Sequence, residues 1–480
     1  MDSTNLNLGT DEWVAAHAER SAGTPGPLDR ARAAWEAVPL LVRVLLPVVL
    51  LALVPLAGSS YLTRVGVNLG LFALLALGLN IVVGYAGLLD LGYVAFYGFG
   101  AYTFAMLSSD KFGLHLPTLV TVPLAVVLTA AFGFLLSLPS RRLLGDYLAI
   151  VTLFFGQIFV EFAISGDSIT LPGRSQSSDL TGGSDGISGV DRFSLLGLRF
   201  ESDAYYYYLL LALVLLLTLA IYRVDRSRVG RAWRALGQDA LAAEAMTIPV
   251  NRLKILAFVV GAGIAGLSGA IFAAVQRGVF PSSFDLPLLI LVYAAVILGG
   301  SGSLAGALLG AALMSLLPEA LRQPAYGEWL FFVLLCLAAV AVVRRARPLL
   351  LVAVGTVVVG FVMNAVLLAA GVQGLPAADW TQGLLSRGMG RWLFVPVDRL
   401  HWGNAAFVLL VVLLAVASRI RPAVRIALLP VLLWLATFVW FVRLSPEPSL
   451  TRQLLIGALL VVLMIVRPEG LLGRKQVEVL

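Results

Sequence analysis

Apolar runs of roughly twenty residues recur along almost the whole chain, and they limit its fold more than any other feature. A helix crosses the hydrocarbon of a bilayer with about 20 apolar residues. Runs of this kind lie at 39–57, 65–84, 91–108, 117–138, 147–165, 204–222, 254–275, 286–300, 303–318, 328–343, 348–370, 404–418, 425–442 and 451–466. In lipid no water is present to pair with a bare N–H or C=O, so a run must satisfy its backbone within itself, as a helix does. The expected fold is all-α, a polytopic transmembrane helix bundle of about 12–14 spans. The pair at 286–318 reads either as one broken span or as two.

Composition supports the bilayer as solvent. Of 480 residues, 60% are hydrophobic and 13% charged, and mean hydropathy is +0.94. A soluble domain is about a quarter charged, so too few charges remain here to coat a water-facing surface. The apolar content excludes disorder. A single cysteine, Cys336, excludes a disulfide scaffold, and in its apolar run it reads as a buried or lipid-facing thiol.

The net charge is +7. Its cations sit in short stretches between apolar runs, which reads as membrane topology and not as nucleic-acid binding. Residues 1–37 are mostly polar and precede the first run, so they read as a cytoplasmic leader with a short surface helix from Asp29 to Glu36. With the leader inside, span counting puts Arg141, Arg142, the loop 223–253, Arg344, Arg345, Arg347, Arg419, Arg421, Arg425, Arg467, Arg474 and Lys475 inside as well. Segment 166–203, with six acids against three arginines, falls outside. Both termini are then cytoplasmic. The chain divides into a leader at 1–38, a core at 39–322, an added set of spans at 323–450, and a last span with tail at 451–480.

The stretch Val65–Ser109 carries one acid or base, Asp90, and is too long for one crossing. Gly84, Gly87 and Gly92 are its natural breaks. Asn80 and Asp90 are the polar candidates there, Asp90 as a cap on a half-helix start. Small residues let helices approach closely in lipid, where burial alone gives no attraction. Gly302, Gly306 and Gly310 form such a ladder, as do Ala262, Gly266 and Ala270, while Gly98 and Ala101 flank Gly100. These glycine-dense runs are generic packing or the centre of a pathway.

Nothing points to catalysis or to a metal site. His17, His115 and His401 lie far apart, and no HExxH or CxxC occurs. Gly300–Gly306 (GSGSLAG) lacks the Lys and Ser/Thr of a phosphate loop. Asp90 and Glu161 are the main acids within spans, and such scarcity weighs against a proton-coupled carrier.

Loop 223–253 is the most informative stretch. Asp239–Ile248 (DALAAEAMTI) predicts an amphipathic helix of about three turns, capped by Asp239 and stopped by Pro249. Leu241, Ala245 and Ile248 share a face, with Ala243 and Glu244 between them. Such a helix can lie on lipid or dock into a cytoplasmic partner, and the pattern alone leaves both open.

Ala242–Met246 (AAEAM) resembles the coupling-helix motif of ABC importer permeases, most closely the LivM-type permeases of branched-chain amino acid ABC transporters. The resemblance is carried by Gly78–Leu107 (GLNIVVGYAGLLDLGYVAFYGFGAYTFAML), Asp146–Leu153 (DYLAIVTL), Leu180–Ile187 (LTGGSDGI), Gly230–Leu236 (GRAWRAL), Leu298–Ala311 (LGGSGSLAGALLGA) and Arg467–Gly473 (RPEGLLG). Thr247 stands where the family usually has Gly, Phe155 and Gln157 where it tends to have Gly and Glu, and 323–450 has no counterpart.

The resemblance implies a non-enzymatic permease of the bacterial inner membrane. Its implied partners are two ATPase subunits, a second permease, an extracytoplasmic solute-binding protein meeting 166–203, and membrane lipid, with no nucleic acid. It implies no cofactor in this chain, ATP and magnesium residing on the ATPase. Substrate would pass beside 65–108, near Asn80, Gly84, Gly87, Asp90, Gly98 and Gly100, with Gly266, Gly302, Gly306 and Gly310 packing the helices. The competing readings are a self-contained secondary carrier and a polytopic membrane enzyme such as a lipid-linked glycosyltransferase.

Overall fold

A computed structural model describes residues 48–140, 146–170, 177–195, 198–321, 324–343, 346–369, 372, 374–376, 392–420, 422–444, 453–454, 456–458, 461 and 470–473. The leader with its expected helix at Asp29–Glu36, most of the last span, and the basic residues at 141–142, 344–345, 421, 467 and 474–475 lie outside these.

The described helices are α1 (Ser60–Leu79), α2 (Tyr93–Leu107), α3 (Thr118–Ser140), α4 (Asp146–Ser165), α5 (Asp203–Asp225), α6 (Arg228–Gln238), α7 (Ala240–Ala245), α8 (Val250–Gln276), α9 (Leu286–Gly299), α10 (Leu304–Ala320), α11 (Pro324–Val343), α12 (Ala346–Ala369), α13 (Arg399–Arg419) and α14 (Pro422–Val439); all but α6 and α7, which lie in loop 223–253, fall on apolar runs. Among the described residues nine helical segments are long and apolar enough to cross a membrane, and three shorter apolar ones accompany them. The all-α polytopic bundle expected from the runs is the fold of this chain.

Sequence signals set several helix starts. The Ser59 hydroxyl accepts from Leu62 N, Asp285 Oδ1 from Leu286 N at 2.7 Å, and the Ser303 hydroxyl from Gly306 N at 3.2 Å, each pairing an otherwise free helix-start amide. The stretch 286–318 is two helices, α9 and α10, folded back on each other across Gly300–Ser303.

α8 packs against α2 and α3 and also touches α1; α1 packs against α5 and α10. α1 and α8 are buried along most of their length, whereas few residues of α3, α5 and α12 are buried. The helix connections sort to two ends. At one end, 85–92, α6, the Gly300–Ser303 turn and Gly470–Gly473 meet. At the other, Ser109 bridges Val190, Ile187–Ser188 pairs with Gly278–Val279, and Asp191 N donates to Ser108 O at 2.7 Å. The first is here the basic end, after loop 223–253. The second is the acidic end, after 166–203.

Candidate functional site

The chain breaks where the sequence placed the break. After α1 the backbone widens into a π turn, Asn80–Tyr85, in which Ala86 N reaches five residues back to Ile81 O. Gly87 follows with φ +66°, a left-handed conformation that costs a glycine nothing. α2 then starts at Tyr93, so 86–92 is a short connection without helix.

Hydrogen bonds tie the break to its neighbours. Asn80 is fully buried. Its side-chain Oδ1 accepts from Gly302 N at 2.9 Å, and its Nδ2 donates to Ser303 O at 3.4 Å. One amide side chain thus clamps the α9–α10 turn to the end of α1. Gly84 admits this clamp, because a Cβ there would occupy the position of Asn80 Oδ1 and Gly302 N. Asp90 is also fully buried. Its Oδ1 accepts from Gly92 N at 3.0 Å, and its second carboxylate oxygen has no partner among the described residues. It fastens the turn just ahead of α2 instead of pairing amides inside the helix, as the capping expectation had it. The Asp90 carbonyl accepts from the Tyr293 hydroxyl of α9 at 2.6 Å, and Leu91 N donates to the Thr152 hydroxyl of α4 at 2.9 Å.

Segments remote in sequence converge here. Gly237, near the end of α6, lies against Gly87: a Cβ on Gly87 would sit 2.7 Å from Gly237 Cα, and one on Gly237 would sit 2.8 Å from Tyr85 O. The tail returns too, with Leu471 N donating to Leu298 O at 2.8 Å and Leu472 N to Gly299 O at 2.9 Å. The close approach of Gly470 and Gly473 to Gly300 leaves no room for a side chain at either Gly470 or Gly300.

The remaining glycine candidates are backbone crossings. A Cβ on Gly100 would lie 2.7 Å from the Gly266 carbonyl carbon, and one on Gly266 would lie 2.6 Å from Thr129 Cβ, so α2, α8 and α3 meet there. Gly98 faces the rings of Phe159 and Phe284. Gly306 and Gly310 press α10 onto α9: a Gly310 Cβ would lie 2.7 Å from the Ala295 carbonyl carbon. Between α2, α3 and α4 lies an aromatic cavity of about 380 Å³, lined by Phe99, Tyr102, Phe132, Phe155 and Phe159 among others.

The loop helix differs from its expected form in three ways. α7 is six residues long, Ala240–Ala245, and not three turns. Asp239 caps it as expected, its Oδ1 accepting from Leu241 N at 2.8 Å and Ala242 N at 3.1 Å. Pro249 does not stop it. The stop is Thr247, at φ +62°, with Thr247 N donating to Glu244 O at 3.0 Å and Ile248 N to Ala243 O at 3.1 Å. This is the paired helix-end bonding that a left-handed residue permits, and Pro249 instead precedes α8. Third, the face turned to the rest of the chain is Ala243 with Ile248, both in the main core. Leu241 (72% exposed) and Met246 (75% exposed) point away from it, while Glu244 and Ala245 are exposed beside them.

α7 rides on α6, and α6 is fixed to the bundle. Trp233 Nε1 donates to Leu253 O at 3.0 Å, and Arg234 lies 3.3 Å from the Asp225 carboxylate. The coupling candidates and the break residues are therefore distinct sites joined through α6.

At the acidic end, Lys111 Nζ donates to Asp179 Oδ1 at 2.6 Å, which holds the Asp179 carboxyl below the usual carboxylate range. His115 lies 2.7 Å from Asp191 through Nδ1 and 3.2 Å from Asp110 through Nε2. The bond to Asp191, more than any other influence, raises its pKa above the ordinary 6.5.

Sequence reading missed Gly237, Thr152, Tyr293 and the His115 pairings. The first two lie in or beside family-like blocks, at Gly230–Leu236 and Asp146–Leu153. No local pattern marks Tyr293 or His115.

Comparisons with known proteins find permease relatives of this chain. The family described as branched-chain amino acid transport system / permease component matches residues 61–343. The permease protein LivM of the high-affinity branched-chain amino acid transport system of Escherichia coli K12 is 35% identical over 303 residues, covering 58% of this chain and 68% of LivM. BraD of Pseudomonas aeruginosa is 26% identical over 275 residues, covering 54% and 83%. LivH of Salmonella typhimurium is 26% identical over 288 residues, covering 57% and 90%. No solved structure matches the chain.

Proposed function

The chain belongs to the branched-chain amino acid transport system permease family, and from that premise we propose that it is one membrane subunit of an ATP-driven importer whose solute is a branched-chain amino acid. A second permease completes the pathway. ATPase subunits carrying ATP and magnesium dock at the basic end, in the cytoplasm. A solute-binding protein meets the acidic end, outside the inner membrane, and both termini are cytoplasmic. Leader, core, added spans and tail keep the boundaries drawn from sequence, at 1–38, 39–322, 323–450 and 451–480.

The observation that carries this reading is α7. It is capped at both ends, held through Ala243 and Ile248 to the core, and presents Leu241 and Met246 outward beside Glu244. An apolar pair held this way on a small rigid helix suits insertion into a groove on a partner. ATP-driven closure of the partner pair then moves α7, and the bundle follows between two arrangements. The solute passes along the α1–α2 break, with Asn80, Gly84, Gly87, Asp90, Gly98 and Gly100 forming the wall and its hinge. Gly266, Gly302, Gly306 and Gly310 hold the wall together.

The test is Glu244→Arg, or deletion of 239–248, in the complete transporter. Uptake is expected to be abolished and the ATPase lost on purification of the permease, while membrane insertion persists. An ATPase that still co-purifies at wild-type levels overturns the docking role of α7.

A further inference from the structure

We propose that the contact between Gly237 and Gly87 is the joint through which motion of α7 enters the membrane, with Asn80 relaying it to the α9–α10 turn. The proposal rests on α7 being the coupling element and adds the route inward from it.

Three observations carry it. First, the contact is backbone on backbone. A Cβ on Gly87 would lie 2.7 Å from Gly237 Cα, and one on Gly237 would lie 2.8 Å from Tyr85 O. A long side chain interposed there would absorb a small displacement by changing rotamer. Two main chains in van der Waals contact pass it on, because close-packed contacts transmit strain. Second, the receiving segment is the irregular stretch that follows α1. It comprises the π turn Asn80–Tyr85 and the left-handed Gly87, and π turns within helices are common at functional sites. Third, this stretch is tied onward. Asn80 clamps Gly302 and Ser303, Tyr293 of α9 holds the Asp90 carbonyl, and Thr152 of α4 holds Leu91 N. A shift of α6 therefore moves the start of α2 and the α9–α10 hairpin together. Gly237 is a positioning residue in this account, and Asn80 acts on the α9–α10 turn through its two amide hydrogen bonds.

The first measurement uses the wild-type complex with its ATPase, followed by hydrogen–deuterium exchange with and without ATP. Nucleotide is expected to change exchange at 239–248 and, in the same conditions, at 84–92 and 300–303. A response at 239–248 that leaves 84–92 and 300–303 unchanged overturns the joint alone. No response at 239–248 overturns the coupling role of α7 and the joint with it.

The second measurement is solute moved per ATP hydrolysed by Gly237→Ala and Asn80→Ala complexes. A structural contact would lower both activities together and leave the ratio unchanged. The joint predicts a ratio lowered about tenfold, a typical size for coupling between sites. A Gly237→Ala complex that assembles and keeps the wild-type ratio overturns the proposal. If that variant does not assemble, the exchange experiment on the wild type decides.

Discussion

Thr247 shows how much one residue carries. It is β-branched and sits at φ +62°, a region where such residues are genuine outliers. The position ends α7 by bonding Thr247 N to Glu244 O and Ile248 N to Ala243 O. The left-handed form costs an L-residue about 1–2 kcal/mol, while a glycine loses about 0.5–1 kcal/mol in unfolded-chain entropy. Thr247→Gly should therefore stabilise α7 by a net of up to about 1.5 kcal/mol, read as slower amide exchange at 239–248. Faster exchange would show that the Thr247 hydroxyl bond to Met246 O, at 2.7 Å, outweighs the backbone strain. His115 makes a second prediction at this scale. Its folded pKa is raised above 6.5, first by the bond to Asp191 and then by the charges of Asp191 and Asp110. A group with a raised folded pKa contributes stability that is fully present below its unfolded value and lost as pH rises through its folded value. The junction of 108–117 with Asp191 should accordingly loosen as pH rises from 6.5, seen as faster exchange in 108–117. Asp191→Asn should flatten most of that dependence, leaving the smaller Asp110 contribution. The ring is solvent-exposed, so the effect is local and screened by salt.

Among elements, the glycines separate what pattern reveals from what it leaves open. The ladder Gly302, Gly306, Gly310 was legible as a close-packing face. Its partner was not, since a small-residue face suits any neighbour. For Gly306 and Gly310 the partner is α9, reached across the four-residue turn Gly300–Ser303, while Gly302 lies in that turn and meets Gly84 instead. Gly310→Ala would place a methyl group on the Ala295 carbonyl, forcing the hairpin apart. Overpacking of this sort costs about 1–3 kcal/mol, and thermal unfolding of the purified protein in detergent should show a lowered midpoint. An unchanged midpoint would mean that the hairpin opens without loss. Loop helix α7 was legible as to place, cap and family, because those depend on Asp239 and its next few residues. Its length was not. The propensity of DALAAEAMTI favours a longer helix, but Ala243 and Ile248 gain burial in the core only if the chain turns at Thr247.

For the whole molecule, a second apolar cluster stands beside the main core. α12, α13 and α14 pack mainly on one another, around Trp434, Phe438, Leu435 and Leu393. Phe331 of α11 joins them through a stack on Trp440, with ring centroids 4.3 Å apart. The family match ends at residue 343, the last residue of α11. Removal of 323–450 by an in-frame splice is expected to leave insertion intact and transport partial. Complete failure to insert would show that these helices belong to the core. What the sequence determined by itself was the helical class, several of the sites where helices start and break, and the family. Each rests on short-range physics: backbone pairing in lipid, capping, glycine at a left-handed turn, and charge that stays out of hydrocarbon. Only the tertiary structure decided which remote segments meet. Asn80 on Gly302, Gly237 on Gly87, and Leu471 on Leu298 join residues with no shared local pattern. In lipid, apolar faces do not choose their partners by hydrophobicity, so shape and a few buried hydrogen bonds decide, and these exist only once the bundle is assembled.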